Sequence, residues 1–185
     1  MPRKLILIRH SAVAQNPELA SKLWRLSENG RFLAKSLVPK IAPHYPTQII
    51  TSSEAKAAET GQIIADEFGI PCQTAPDLHE HDRANTPYFA TKEAFAAAVS
   101  RFFQQPGDLV LGRETAVQAQ TRFVNAVNAV MTAHPTGNIA IVTHGTVLTL
   151  FAKYYQTQLD PLSFWKSLTL PCAVVTDWPD VGEFL

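Results

Sequence analysis

Apolar residues cluster in three short runs bounded by polar residues, and these runs predict buried β-strands at Lys4–Arg9, Thr47–Thr51 and Asn138–Thr143. Because the runs are apolar on both faces, we expect the strands to lie inside a parallel sheet with helices on both of its sides. Two weaker apolar stretches, Leu168–Leu170 and Ala173–Thr176, predict edge strands late in the chain. The pattern therefore predicts a sheet centred on three strands that are distant in sequence.

Helical periodicity fills the segments between these strands. The predicted helices are one that begins after the N-cap residue Ser27, one over Ser53–Phe68 that closes at Gly69, then Lys92–Phe103, Thr115–His134 and one from Gly145 to Tyr155. The polar segment Pro76–Thr91 lacks this periodicity and predicts a long loop with a functional role. Strands that alternate with helices predict an α/β three-layer sandwich, with a mostly parallel central sheet flanked by helices. A length of 185 residues fits a single domain, 1–185.

The composition excludes several classes of function. The 16 basic and 16 acidic side chains give no net charge, so no global positive field attracts nucleic acid or anionic lipid, and any anion must be bound locally. Cys72 and Cys172 lack the spacing of a disulfide framework or a metal site, which favours a reducing compartment. The apolar run Leu5–Ile8 is too short for a signal segment or a membrane span. We therefore expect a cytoplasmic protein that binds neither nucleic acid nor membranes.

Polar residues follow each of the three strong apolar runs: Arg9-His10, Thr51-Ser52-Ser53 and Thr143-His144. Ligands of open α/β sheets bind beyond the carboxyl ends of the strands, so these residues are expected to share one edge of the sheet. A lone histidine at a strand end is more often structural. Two histidines beside a helix N-terminus instead form a favourable site for an anion.

Six segments of the chain follow the order of a known set of motifs. They are Arg9-His10, Leu26–Gly30, Ser52–Thr60, Leu78–Glu80, Gly112–Thr115 with the later Arg122, and Val142–Gly145. In that order they resemble the RHG signature, the LTxxG helix start, the SSxxRAxxT segment, the LxE proton donor, the GES helix start and the second-histidine motif of the histidine phosphatase superfamily. The chain is similar to a small branch 1 member, and the resemblance implies a phosphoglycerate mutase-like fold.

The resemblance also implies roles for the catalytic residues. His10 would attack phosphorus and carry it as phosphohistidine. Arg9 and His144 would bind the nonbridging oxygens and oppose the charge of the transferring group. Glu80 would protonate the leaving alcohol and then take a proton from the attacking water. The resemblance therefore implies a metal-independent phosphomonoesterase that needs no cofactor, because cationic side chains stabilise the charge.

Several positions depart from the family pattern. Lys56 stands where the family has a phosphate-binding arginine and cannot supply that side chain's planar fork. Ser11 replaces a glycine, and the glycine and tryptophan that commonly follow the family's acid are absent after Glu80. Asn16 lies six residues after His10, where it is either a phosphate contact or a turn residue.

These departures leave alternatives open. Asp82 or Glu114 could replace Glu80 as the acid, and Arg122 is expected to form a salt bridge rather than a ligand contact. The loop residues His79, His81 and Asp82 do not complete a metal-hydrolase motif, so we expect a solvated loop and no metal. The alternative functions are a phosphoglycerate mutase-type phosphotransferase, a weakly active phospholigand-binding module and a protein phosphohistidine phosphatase. The substrate would be a small phosphorylated molecule or a phosphoprotein, and the sequence leaves the oligomeric state open.

Overall fold

A computed structural model of the chain describes residues 2–86 and 88–182. Within these residues the strands are β1 Arg3–Arg9, β2 Pro46–Thr51, β3 Cys72–Thr74, β4 Asn138–Thr143 and β5 Cys172–Trp178. The helices are α1 Glu28–Ile41, α2 Ala55–Phe68, α3 Lys92–Gln104, α4 Ala116–Ala133, α5 Gly145–Tyr155 and α6 Pro161–Ser167. None of these helices is both long and apolar enough to cross a membrane.

The sheet has the order β3-β2-β4-β1-β5. β1 and β2 both pair with β4 in parallel, β3 joins β2 in parallel, and β5 runs antiparallel along β1. The predicted, mostly parallel sheet is therefore confirmed. β4 lies between β1 and β2, so the carboxyl ends of the three predicted central strands are adjacent.

Side chains of β1 alternate between the two faces of the sheet, as the pleat of a strand requires. Leu5 and Leu7 pack with apolar residues of α4 and α5 on one face. Ile6 and Ile8 pack with α1 and α2 on the other face. All four side chains are fully buried, which explains why the β1 sequence is continuously apolar. The predicted three-layer sandwich is confirmed.

Local signals set most of the helix boundaries. Ser27 Oγ accepts the Gly30 N–H at 3.0 Å, and Thr115 forms a capping box with Gln118, so α1 and α4 begin where the sequence predicts. Gly69, with a φ of +65°, ends α2 in the left-handed conformation that glycine tolerates. The described residues of the predicted loop 76–91 contain neither helix nor strand, and Pro87 of that loop lies outside the described residues.

The prediction of a strand at Leu168–Leu170 is wrong. Arg9 is the last residue of β1, and it pairs with Cys172, the first residue of β5, so no neighbouring strand extends far enough to pair with 168–170. The prediction over Ala173–Thr176 is confirmed within β5. The three-residue β3 and the seven-residue α6 were not predicted, because elements of this length carry too little periodicity.

Candidate active site

Backbone hydrogen bonds continue from the ends of the central strands into the site. The N–H of His10 donates to the carbonyl of Thr143 at 2.9 Å, and the N–H of Ser52 donates to the carbonyl of Val142 at 2.9 Å. The residues that follow β1 and β2 are thus held against the end of β4. This arrangement brings together the polar residues of all three strand ends.

The two histidines are in contact. The ring centroids of His10 and His144 lie 5.2 Å apart, and the ring planes meet at 60°. His10 is 8% exposed and His144 is fully buried. His10 Nδ1 lies 2.8 Å from the carbonyl oxygen of Ser11. Because a carbonyl only accepts hydrogen bonds, Nδ1 carries the proton and Nε2 of neutral His10 keeps its lone pair.

Both histidines favour the neutral state. Burial, the neighbouring His144 and the positive charge of Lys56 lower the pKa of His10 well below its usual value. Burial also lowers the pKa of His144 to about 4, although the carboxylates of Glu54 and Glu80 oppose the shift. At neutral pH the site therefore holds two uncharged imidazoles, and the His10 ring is available as a nucleophile.

The shifted His144 pKa predicts acid-sensitive stability. The unfolded chain takes up this proton near pH 6.5, whereas the folded chain takes it up near pH 4, so His144 lowers the free energy of unfolding as the pH falls through that window. Between pH 7 and pH 5 we expect this loss to be about 2 kcal/mol. Urea unfolding at both pH values should give a smaller loss for His144→Gln than for the wild-type protein. Equal losses in the two proteins would contradict the shift.

Glu54 belongs to the site, although the sequence analysis did not single it out. Its Oε2 accepts a hydrogen bond from Lys56 Nζ at 2.5 Å, and its Oε1 accepts the Glu80 N–H at 2.9 Å and lies 3.7 Å from His144 Nε2. Burial alone would raise the pKa of Glu54, but His144 and Lys56 lower it. A lysine next to a strand end needs a carboxylate when it is buried, and that requirement is the signal that could have identified Glu54.

Lys56 reaches the site but is already engaged there. Its side chain is 6% exposed. Besides the bond to Glu54, its ammonium group donates to the carbonyl of Ser21 at 2.8 Å. Two of its three N–H donors are therefore used within the protein.

The Glu80 carboxylate lies at the N-terminus of α5. It accepts the N–H groups of Thr146 and Val147, each at 3.2 Å, and that of His81 at 2.9 Å. Burial alone would raise the pKa of Glu80, but the positive charge of Arg83, the interaction with His144 and these N–H donors lower it well below its usual range. Glu80 is thus ionised in the free protein and occupies the end of α5 that favours an anion.

Arg9 lies beside the same helix terminus. Its Nη1 donates to the carbonyl of Leu168 at 2.5 Å, while its Nε is buried and has no hydrogen-bond partner among the described residues. A Cβ at Gly145 would lie 3.0 Å from Arg9 Nε and 3.1 Å from Cζ. The first residue of α5 therefore packs directly against the guanidinium.

Arg122 holds the loop that carries Glu80. Its guanidinium forms two hydrogen bonds to the Glu114 carboxylate, at 2.6 and 3.1 Å, and donates to the carbonyls of Asp77, His79 and Glu80. This is the salt bridge that the sequence predicts for Arg122. Glu114 accepts the Asp82 N–H as well, so its carboxylate is used to fix the loop.

Asn16 and Ser11 make structural contacts. The Asn16 side-chain oxygen accepts the Glu18 N–H at 2.9 Å, which is the contact of a turn residue. Ser11 Oγ donates to the carbonyl of Gly30 at 2.7 Å, and its N–H donates to Thr60 Oγ1. In the described part of the chain, neither the Asn16 side chain nor the Ser11 hydroxyl is hydrogen-bonded to the histidine pair, which Ser11 contacts only through its carbonyl oxygen.

The loop histidines do not form a metal site in the described residues, where no group of three or more His, Cys, Asp or Glu side chains is placed to hold an ion. His81 is 3% exposed, and its Nε2 lies 3.1 Å from the carbonyl oxygen of Glu114. Its ring packs on Phe102 at 4.1 Å between centroids. His81 is therefore a core residue rather than part of a solvated loop.

A family model described as the histidine phosphatase superfamily (branch 1) matches residues 5–177. Among solved structures, the chain is similar to Bacillus stearothermophilus YhfR, with 22% identity, a TM-score of 0.73 and coverage of 99% of this chain and 94% of that one. It is also similar to the alpha-ribazole phosphatase from Shigella flexneri, with 18% identity, a TM-score of 0.74 and coverage of 98% and 94%.

A third similar structure is a phosphoserine phosphatase variant from Entamoeba histolytica in complex with phosphoserine. Its identity is 17%, its TM-score is 0.73, and the coverage is 98% of this chain and 96% of that one. No curated protein matches the chain. At these identities the likeness to the solved structures shows a shared fold.

Proposed function

The chain belongs to branch 1 of the histidine phosphatase superfamily and has its phosphoglycerate mutase-like fold, and we propose that it is a metal-independent phosphomonoesterase that works through phosphohistidine at His10. The observation that carries this proposal is the contact between His10 and His144 at the edge of the sheet, with His10 Nε2 free of any internal hydrogen bond among the described residues. We further propose that residues 1–185 act as one domain and that the substrate is a phosphorylated small molecule or a phosphoprotein.

The reaction divides into two displacements at phosphorus. First, the lone pair of His10 Nε2 forms the N–P bond while the P–O bond to the alcohol breaks, and Glu80 gives its proton to the leaving oxygen. Second, Glu80 takes a proton from water while that water forms a new P–O bond and the N–P bond breaks. These steps release inorganic phosphate and restore His10 and Glu80 to their starting protonation states.

The charge of the transferring group is opposed by groups already in the site. Arg9 has unused N–H donors beside the N-terminus of α5, and the charge of Lys56 acts on both histidines. Fixed donors of this kind stabilise developing charge without reorganising during the reaction. This supply of positive charge supports a reaction that requires no metal ion.

Glu80 must be protonated before it can act as an acid. In the free protein its pKa is held low by Arg83, His144 and backbone N–H groups, although burial opposes them. A bound phosphate monoester adds up to two negative charges next to Glu80, and these raise its pKa. We therefore propose that Glu80 acquires its proton only when substrate binds.

The effect of Glu80→Gln should depend on the leaving group. A poor alkyl leaving group requires a proton, so kcat for an alkyl phosphate should fall about 10²–10³-fold. For p-nitrophenyl phosphate, whose leaving group is stable as an anion, the fall should be below about 10-fold. Asp82→Asn serves as the control, because Asp82 is the alternative acid, and among the described residues the sole hydrogen bond to its carboxylate is the one that Oδ1 accepts from the Ala84 N–H. A larger leaving-group dependence in Asp82→Asn would assign the acid to Asp82.

The proposal is tested by trapping the intermediate. Wild-type protein is incubated with ³²P-labelled phosphate monoester in the presence of EDTA and then denatured in alkali, where phosphohistidine survives. We expect turnover with the chelator present and a labelled peptide that contains His10. Turnover without any label on His10, or turnover that requires an added divalent ion, would overturn the mechanism.

One observation favours a second function, a phospholigand-binding module with weak turnover. Lys56 is already paired with Glu54 and with the carbonyl of Ser21, which reduces the positive charge available to a transition state. Saturable binding of inorganic phosphate, combined with no turnover of p-nitrophenyl phosphate, would support this function.

A further inference from the structure

Arg83 lies next to the site, and its guanidinium donates no hydrogen bond to any described residue. Its Nη2 lies 3.8 Å from Glu80 Oε2, which is beyond hydrogen-bond distance. Its side chain is 22% exposed and forms no hydrogen bond among the described residues, in contrast to Arg122 nearby. Five N–H donors of a half-buried cation are therefore available to a ligand.

Phe95 fixes the direction of this side chain. Arg83 Cζ lies 5.0 Å from the centre of the Phe95 ring, a distance typical of a cation–π contact. Phe95 itself packs between Phe89 and Trp165, at 5.5 and 5.7 Å between ring centroids. The guanidinium thus rests on an aromatic cluster and has one face directed away from it.

Arg83 is one of several groups that stabilise the Glu80 carboxylate, and it does so without a hydrogen bond. Three backbone N–H groups already donate to that carboxylate. The charge of Arg83 nevertheless acts on the phosphate-side groups: burial lowers the pKa of His144 and of Arg9, and Arg83 lowers both further. Two guanidinium groups, those of Arg9 and Arg83, therefore act on the single carboxylate of Glu80, and one negative charge does not balance both cations.

Lys56 cannot make the bidentate phosphate contact that an arginine would make, whereas the Arg83 guanidinium has the geometry for it. The ammonium group has two donors used internally and no planar fork, so it cannot grip two phosphate oxygens at once. On the basis of the proposed function, we propose that Arg83 is a phosphate-binding residue of this site and donates its guanidinium fork to the nonbridging oxygens of the phosphoryl group. The residue reaches the site from the loop after Glu80 rather than from α2.

The test measures binding of inorganic phosphate and of vanadate at equilibrium, by calorimetry on the full chain. Arg83→Gln should weaken both affinities about 30–100-fold, and Arg83→Lys, which keeps the charge but loses the fork, should weaken them about 10-fold. Arg101→Gln on the exposed side of α3 is the matched control and should leave both affinities unchanged. Thermal unfolding without ligand checks that each variant is folded, and the rise in Tm caused by phosphate should shrink in parallel with the affinity.

The outcomes separate this inference from the proposed function. Unchanged phosphate and vanadate affinities in folded Arg83→Gln overturn the inference, even if KM for an ester rises, because Arg83 would then contact the alcohol part of the substrate. Loss of phosphate affinity in Arg83→Gln, together with a wild-type protein that hydrolyses no ester, supports the inference and overturns the proposed phosphatase activity.

Discussion

His10→Gln is expected to reduce kcat for p-nitrophenyl phosphate by at least about 10⁴-fold, because removing a nucleophile removes the covalent route rather than one stabilising contact. The substitution removes the ring contact with His144. Glutamine fills part of the space of the imidazole, so the packing around position 10 should change little. Steady-state assays in EDTA measure the loss, and the same samples should bind inorganic phosphate, because Arg9 and Lys56 remain.

His44→Gln is the matched control for this variant. His44 ends a short 3₁₀ turn; its backbone carbonyl accepts a hydrogen bond from the Asn138 side chain at 2.8 Å, and its ring forms no hydrogen bond to a residue that the structure describes. Its replacement should leave kcat unchanged. A His10→Gln protein that keeps more than about one tenth of wild-type kcat would show that the nucleophile is another residue.

Gly30→Ala is expected to cause a large loss of stability, because the added methyl group would overlap backbone atoms. A Cβ at Gly30 would lie 1.9 Å from the carbonyl oxygen of Ala12 and 2.9 Å from its carbonyl carbon. The same oxygen accepts the N–H of Ser27, the residue that caps α1, so the backbone cannot retreat without breaking the helix start. We expect a loss of about 3 kcal/mol and a fall in Tm of about 9 °C.

Gly107→Ala is the matched control for the added methyl group. A Cβ at Gly107 would meet no atom within 4 Å. Alanine should therefore leave stability unchanged or raise it by about 0.5 kcal/mol, because it restricts the unfolded chain. Urea unfolding of both variants compares them directly, and equal effects would show that the close approach to Ala12 is not what requires glycine at position 30.

The fold could be predicted from the sequence because its signals are local. The β1 and β4 sequences contain continuous apolar runs, and the N-cap residues Ser27 and Thr115 mark the starts of two helices. The meeting of His10 and His144 could also be expected, because parallel strands place their carboxyl ends at one edge of the sheet. These predictions depend on the residue pattern within each strand or helix and on the general geometry of parallel sheets.

The electrostatic partners in the site could not be predicted in the same way. Glu54, the N-cap residue of α2, contacts the nearby Lys56. It also contacts His144 and the Glu80 N–H, which belong to two other segments of the chain. The position of Arg83 depends on the face of Phe95, a residue of α3 that the motifs do not include. Contacts between segments follow from packing in three dimensions, which no spacing in the sequence encodes.

The contact between Gly145 and Arg9 links two positions that stand 136 residues apart in the chain. The φ of Gly145 is not positive, so glycine is not required there for its backbone conformation. The absence of a side chain instead leaves space for the planar guanidinium of Arg9. A methyl group there would lie 3.0 Å from Nε and 3.1 Å from Cζ of that cation, so the guanidinium would have to shift by a few tenths of an ångström. The first residue of α5 therefore sets how closely the Arg9 guanidinium can lie against the helix, and a larger residue at 145 would displace that cation.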